Sequence, residues 1–521
     1  MLHRNKFLTL LLLLALLISA CQPIVAPVPS TDETTEAEML SIPRFETSDC
    51  MYPVPEGGKM ECGYLIVPED RGNPDSPMIR LHVVNFKSLS DTPQSDPIFA
   101  VSGGPGATGH IFGWWFTSDP WASAFRAERD IIYLEHRGTN FSEPAFYCPE
   151  LEADVAELVA MSFGEEIEYS AAAVQACAER TRQEGYNLST YNALAIAADL
   201  ADLRIALGYD EVNVFGVSYG TTVSMLWMQH YPEGIRSIIL DSVAPPNVNW
   251  LDMQLAVVDG ALNTLFDACA ADPICDSAYP DLETAFTTVL TSLRQAPVMV
   301  TVEDGTGASY EIQIDDEMFV SYVREGMFFG DGFTSIPAGI YAAYSGDFAP
   351  VGAARLGFLQ DRHAETGPGT WSMSKGAYYT NMCTLSGSTT DMERALAIYA
   401  SVGSDPSVFD WAVNYILTDT LAACEYWQLQ PPAPNVWEQT VESESPVLML
   451  VGTFDSDSAP LLSEAYRDAF ANGYYYALPF GHVSMMSPCG LELMTQFLAD
   501  PTLAPDASCI DAMTPQWILP E

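Results

Sequence analysis

The stretch VNVFGVSYGTTVSMLWMQHYP (212–232) constrains this chain more than any other. An apolar run that reads as a strand passes into Gly216-Val217-Ser218-Tyr219-Gly220, and a helix-forming sequence follows at once. A serine between two glycines at a strand-to-helix turn sits on a strained backbone with its hydroxyl above the edge of a sheet. Small neighbours are required because the chain doubles back so tightly. Ser218 is therefore the expected nucleophile, and the plain alternative is a small polar residue opening a helix. A nucleophile also demands a base, an acid and an oxyanion site elsewhere in the chain.

Around such a turn the base comes last, after the acid. Three histidines follow Ser218. His230 lies on the same helix, about 18 Å away at about 1.5 Å per residue, and cannot reach. His363 falls in a long helical stretch. His482, in LPFGHVS directly after the last predicted strand, is the expected base. The acid belongs at the end of the strand PVLMLVG, where GTFDSDSAP offers Asp455 and Asp457. Asp455 directly follows the strand and is preferred, with Asp457 as the alternative. Its task is to orient the imidazole and stabilise the imidazolium. One oxyanion donor is the N–H of Tyr219, and the other is expected from Gly104 in SGGPG (102–106), a glycine-rich loop after the third predicted strand.

Strands and helices alternate up to about residue 245. CGYLIVPED and MIRLHVVNF form a hairpin, DPIFAV and RDIIYLEH are further strands, and NALAIAADLADLRIALG (192–208) is a helix closed by Gly208. From 246 to 440 the pattern is mainly helical, broken by a hairpin at PVMVTVEDGTGASYEIQI. Alternation resumes from 441 with the strand SPVLMLVGTFD, the helix APLLSEAYRDAFANG, the strand YYYALPFGH and the helix GLELMTQFLAD. Such a pattern predicts a mostly parallel α/β sheet whose core, 49–245 and 441–521, is interrupted by a large helical lid, 246–440.

The first twenty residues read as an export signal: Arg4 and Lys6 precede LTLLLLLALLI, and small residues precede Cys21. LISAC resembles a bacterial lipobox, in which Cys21 is acylated and anchors the mature chain to a membrane outside the cytoplasm. Residues 21–48, rich in Pro, Thr and acids, read as a flexible tether. Besides Cys21 there are ten cysteines, an even number suited to disulfides in an oxidising compartment. Cys50 with Cys62, Cys269 with Cys275 and Cys489 with Cys509 are sequence neighbours, and Cys148 with Cys177 and Cys383 with Cys424 complete a scheme whose connectivity the sequence leaves open. With no C-x-x-C and no H-E-x-x-H, neither a metal site nor another cofactor is expected.

Charge excludes one class of partner. Sixty-nine acidic residues stand against 21 basic ones, a net −48, and loss of residues 1–20 would leave 69 against 19, a net −50. A chain of this sign does not bind a phosphate backbone, so no nucleic-acid partner is expected. The charge suits a cationic substrate group such as a free amine, or equally a saline or acidic medium.

SGGPG (102–106), YLEHRGTNFS (133–142), GVSYGT (216–221), VGTFD (451–455) and GHVSMMSPC (481–489) together resemble the tripeptidyl and prolyl aminopeptidases of the α/β-hydrolase superfamily. CAADPICDSAYPDLE (269–283), SGDF (345–348) and CEYW (424–427) look like the exported tripeptidyl aminopeptidase branch, and the resemblance runs over roughly residues 48–515. It departs at Ser102, where the family often has His, at EHRG in place of D-Q-R-G, and at the longer DSDSAP. The resemblance implies an α/β-hydrolase fold and a serine exopeptidase that takes peptides by a free N-terminus recognised in the lid. The resemblance does not assign the carboxylate for that amine; Glu325, Asp347 and Glu425 are lid candidates, each also readable as an ordinary surface acid. Two other functions fit the same residues: an esterase or amidase acting on small molecules, and a silent binding lipoprotein.

Overall fold

The computed structural model describes residues 43–51, 59–109, 122–362, 373–387, 389–401, 419–432, 439–458 and 460–520. The expected signal 1–20, Cys21, the tether as far as residue 42 and His363 lie outside the described residues. Among those described, no helix is long and apolar enough to cross a membrane.

A nine-stranded sheet forms the core, in the order β1-β2-β3-β5-β4-β6-β7-β10-β11. Its strands are β1 (Arg44–Ser48), β2 (Met60–Pro68), β3 (Met78–Phe86), β4 (Ile98–Val101), β5 (Ile131–Leu134), β6 (Val212–Val217), β7 (Ile235–Asp241), β10 (Val447–Gly452) and β11 (Gly473–Leu478). β1, β2 and β3 are antiparallel, and β5, β4, β6, β7, β10 and β11 run parallel. The parallel strands are apolar without interruption because both faces are covered. Val447, Met449 and Val451 pack with Val212 and Val214 against the helices Ala193–Leu207 and Tyr219–His230. Leu448 and Leu450 pack with Phe215 and Val217 against the helix Pro488–Ala499 on the other face.

The chain leaves this sheet after β7 and rejoins it at β10. The described residues between form helices, among them Trp250–Ala271, Leu282–Gln295, Asp316–Phe328 and Ala349–Arg362, and the hairpin β8 (Val298–Glu303) with β9 (Ser309–Ile314). They carry a hydrophobic core of their own, including Leu265, Phe286, Leu290, Phe319 and Ile340. Phe333 stacks on Phe454, just beyond β10, with ring centres 3.9 Å apart, which fastens the insertion to the sheet.

Two expectations need correction. The tether does not extend to residue 48: residues 44–48 form β1, an edge strand on β2, so the core starts before residue 49 and SGGPG follows the fourth strand. The cause is tertiary, because Phe45 lies over Gly63, where any side chain would collide with its ring. The helix expected in APLLSEAYRDAFANG shrinks to Pro460–Ser463 and one 3₁₀ turn, Glu464–Tyr466. Here the buried Tyr466 hydroxyl bonds Val441 N–H and Asn247, at 3.1 and 2.7 Å, and these contacts override helix propensity.

The ten cysteines pair as Cys50–Cys62, Cys148–Cys177, Cys269–Cys275, Cys383–Cys424 and Cys489–Cys509. A fully buried ion pair sets the floor of the fold near the β5 loop: Arg137 makes two 2.8 Å bonds to Asp199 and also donates to the carbonyls of Glu69 and Thr190.

Candidate active site

Ser218 joins β6 to the helix Tyr219–His230 at φ 55° and ψ −127°, a conformation costly for a residue with a Cβ. Its flanking glycines explain how the turn fits. A Cβ at Gly216 would meet Ser224 Oγ at 2.4 Å, and one at Gly220 would meet the Val101 carbonyl at 2.2 Å. The helix thus starts hard against the end of β4.

That contact brings in the loop after β4. A Cβ at Gly103 would lie 2.9 Å from Ser218 Cβ and 3.4 Å from its Oγ, so this loop lies directly against the serine. Gly104 has φ +109° and lines one cavity together with Ser218 and Tyr219. The loop is held from behind. Tyr133 donates to Ser102 at 2.8 Å, while Thr108 and Gly109 donate to one oxygen of Glu135 at 2.8 and 3.1 Å. Burial pushes the Glu135 carboxyl up to about 7, against the pull of these bonds and one from Thr139.

His482 and Asp455 converge although 27 residues separate them, with Nδ1 2.8 Å from Oδ2 and both side chains buried. Asp455 accepts three further bonds, from Ser458 Oγ at 2.7 Å, Ser458 N–H at 2.9 Å and Asp457 N–H at 2.8 Å. Burial alone would raise the Asp455 carboxyl, but His482 and Ser458 outweigh it and hold the group low. Burial likewise pulls His482 down, and Asp455, with Asp457 and Asp241 behind it, more than reverses this and raises it. Asp457 turns away from the histidine to Arg324, 2.6 Å off, and burial keeps its carboxyl raised.

The cavity above Ser218 holds about 260 Å³. The sheet side contributes Gly104, Ser218, Tyr219 and Asp457, and the insertion contributes Trp250, Arg324, Glu325, Phe328 and Tyr378. Of the three lid carboxylates only Glu325 reaches it, and it pairs with Arg324. Asp347 is exposed and caps the next helix through Ala349 N–H at 3.0 Å, and Glu425 is exposed. Arg324, Ser458, Gly103 and Glu135 escaped the sequence reading. Gly103 lies inside SGGPG, Glu135 inside YLEHRGTNFS and Ser458 inside DSDSAP, whereas Arg324 carried no local signal.

Among the described residues, one group of metal-ligating side chains comes together, Cys148, Glu150 and Cys177. Its thiols form a disulfide and Glu150 pairs with Arg180 at 2.6 Å, so it offers no metal site.

A serine at a strand–helix elbow, a buried Asp–His pair after the later strands and a mostly parallel sheet define the α/β-hydrolase fold, and this chain has that fold: residues 96–307 match the family model of the alpha/beta hydrolase fold. Residues 410–509 match the model described as TAP-like protein. The chain is similar to the serine protease Hip1 of Mycobacterium tuberculosis, 27% identical over 291 residues, covering 52% of this chain and 54% of Hip1. It is also similar to the tripeptidyl aminopeptidases of Streptomyces coelicolor and Streptomyces lividans, each 29% identical over 197 residues and covering 36% of either chain. The chain thus spans about half the length of the first relative and about a third of the others.

Proposed function

We propose that this α/β hydrolase is an exported serine peptidase that releases short peptides from free N-termini, with Ser218, His482 and Asp455 as its triad. The observation that carries the reading is the buried His482–Asp455 pair beside a cavity that contains both Ser218 and an insertion carboxylate, Glu325. Ser218 Oγ attacks the scissile carbonyl while His482 takes its proton and passes it to the departing amine. Asp455 holds the imidazole in the required tautomer. The N–H groups of Tyr219 and Gly104 donate to the oxyanion. Water then attacks the acyl-enzyme, with His482 again as base.

Glu325 supplies the exopeptidase character. Arg324 shares its positive charge between Glu325 and Asp457, so this end of the cavity carries two carboxylates for one guanidinium. The surplus negative charge suits a substrate ammonium. The similarity to tripeptidyl aminopeptidases supports the same choice. Export with acylation of Cys21 is part of the proposal, and five disulfides support an oxidising compartment. Mass spectrometry of the mature N-terminus checks it by the presence of a diacylglyceryl group on Cys21.

The test of function compares a free tripeptide amide with its N-acetyl form. Acetylation is expected to lower kcat/KM by about a hundredfold, as for loss of a charged hydrogen bond of roughly 3 kcal/mol. Equal cleavage of both would replace the aminopeptidase reading with an esterase or amidase. Failure of a fluorophosphonate to label Ser218 would leave a binding protein.

A further inference from the structure

The insertion touches the histidine as well as roofing the serine. The helix Asp316–Phe328 ends at Phe328, and the next residues pair with the histidine loop by backbone: Phe329 bridges to His482 as in a parallel sheet. Gly481 N–H donates to the Gly330 carbonyl at 2.7 Å, Gly330 N–H donates to the His482 carbonyl at 3.3 Å, and His482 N–H donates to the Phe328 carbonyl. This approach is close enough to exclude a side chain at Gly481, whose Cβ would meet the carbonyl oxygens of Met327, Phe328 and Gly330 at 2.7–2.9 Å. The Phe328 ring lies on the His482 imidazole, centres 4.4 Å apart and planes 16° apart. One turn earlier, the Arg324 carbonyl accepts from Ser456 Oγ at 2.9 Å, and the Arg324 guanidinium reaches Asp457 at 2.6 Å. A single stretch of the insertion therefore grips both the loop that carries Asp455 and the loop that carries His482.

We infer that Phe328 is a positioning residue for His482, and that residues 324–330 couple the amine-binding end of the cavity to the base. The inference rests on the reading of His482 as general base. A hydrogen bond to Asp455 fixes one edge of the imidazole but leaves the ring free to swing about that bond. A flat ring stacked at 16° removes that freedom, because any tilt of the imidazole opens a gap against Phe328. Glu325 stands on the same helical turn as Arg324 and Phe328, so an ammonium held there stiffens the segment that holds the base.

Phe328→Leu separates stacking from packing, since leucine fills apolar space without presenting a plane, and Phe328→Tyr restores the plane. With a free tripeptide amide, Phe328→Leu is expected to lower kcat by about tenfold to a hundredfold with KM unchanged, the penalty of a misplaced catalytic group. The rate of labelling by a small fluorophosphonate, which has no amine to bind, should fall in parallel, and Phe328→Tyr should recover both. Should the leucine variant not fold, Phe328→Met carries the same comparison. Wild-type kcat in the leucine variant, or a loss confined to KM, overturns the inference. His482→Ala is assayed alongside. If it keeps full activity, the function reading falls and this inference with it; if it is inactive while Phe328→Leu is not impaired, only this inference falls.

Discussion

Asp241 accepts the N–H of Ser218 on its backbone oxygen at 2.9 Å, and its carboxylate accepts the N–H groups of Ser484 and Met485 at 2.9 and 2.7 Å. The end of β7 thus ties the elbow to the loop that begins at His482, and Ser242 adds a bond from Val483 N–H at 2.8 Å. In Asp241→Asn one of the two N–H groups faces an amide NH₂ and loses its acceptor. Destabilisation of about 1–3 kcal/mol is expected, together with a lower kcat as the histidine loop loosens. Urea unfolding and steady-state kinetics measure the two effects. An unchanged midpoint and kcat would show that the loop is held by other means.

The two aspartates after β10 should separate sharply. Asp455→Asn leaves the imidazole without its anionic partner and is expected to lower kcat by roughly 10³–10⁴. Asp457→Asn removes the charge paired with Arg324 and a lesser electrostatic support of His482, and should cost far less, chiefly in KM. Comparable losses in kcat would contradict this division. Since His482 must be neutral to act as a base and is raised above its ordinary 6.5, the acid limb of kcat/KM is expected above that pH.

Glu325→Gln removes the carboxylate that faces the amine. It should lower kcat/KM for a free tripeptide amide by about tenfold to a hundredfold while leaving the N-acetyl substrate unaffected. If both substrates lose activity equally, Glu325 shapes the cavity without binding the amine.

Glu135 gives a pH signature of known sign. Its ordinary value is 4.5 and burial raises it to about 7 in the fold, so between these values the folded state holds a proton that the unfolded state has lost. Its contribution to stability therefore falls as pH rises through that window, by on the order of 3 kcal/mol in all. Glu135→Gln keeps an oxygen for Thr108 and Gly109, and its NH₂ can donate to Thr139 once that hydroxyl turns its proton from residue 135 to the His136 carbonyl, 2.7 Å away. Unfolding measured at several pH values should lose this slope in the variant. Asp241, raised to about 6 by burial, leaves a residual slope of the same sign at lower pH. An unchanged slope above pH 6 would show that Glu135 does not carry the proton.

Arg137→Lys is expected to be severe despite conserving charge. Lysine cannot make the paired bonds to Asp199 and also reach the carbonyls of Glu69 and Thr190, so a buried carboxylate is left poorly matched. A loss of about 3–5 kcal/mol is expected in chemical denaturation. A loss within experimental error would mean that Arg71, also 2.5 Å from Asp199, is partner enough.

What the sequence alone determined was whatever short-range pattern encodes. Glycines at 216 and 220 around Ser218 marked the elbow because only they fit between β6, the helix and β4. Gly208 marked the end of a helix because it takes φ 76°, whereas the cap that the Asn192 side chain provides at its start was not read. The continuous apolar run 447–452 marked a strand buried on both faces. The helix Phe163–Gln183 was equally legible, through the capping box of Ser162 and Glu165, and was overlooked. Only the tertiary structure decided which aspartate faces His482, that Glu325 and not Asp347 or Glu425 enters the cavity, and that residues 44–48 form a strand. These outcomes depend on side chains brought together from segments as far apart as the 133 residues between Arg324 and Asp457, and no periodicity along the chain records such a meeting. Local conformation follows from neighbours in sequence, whereas a site follows from which loops the packed sheet and its insertion bring face to face.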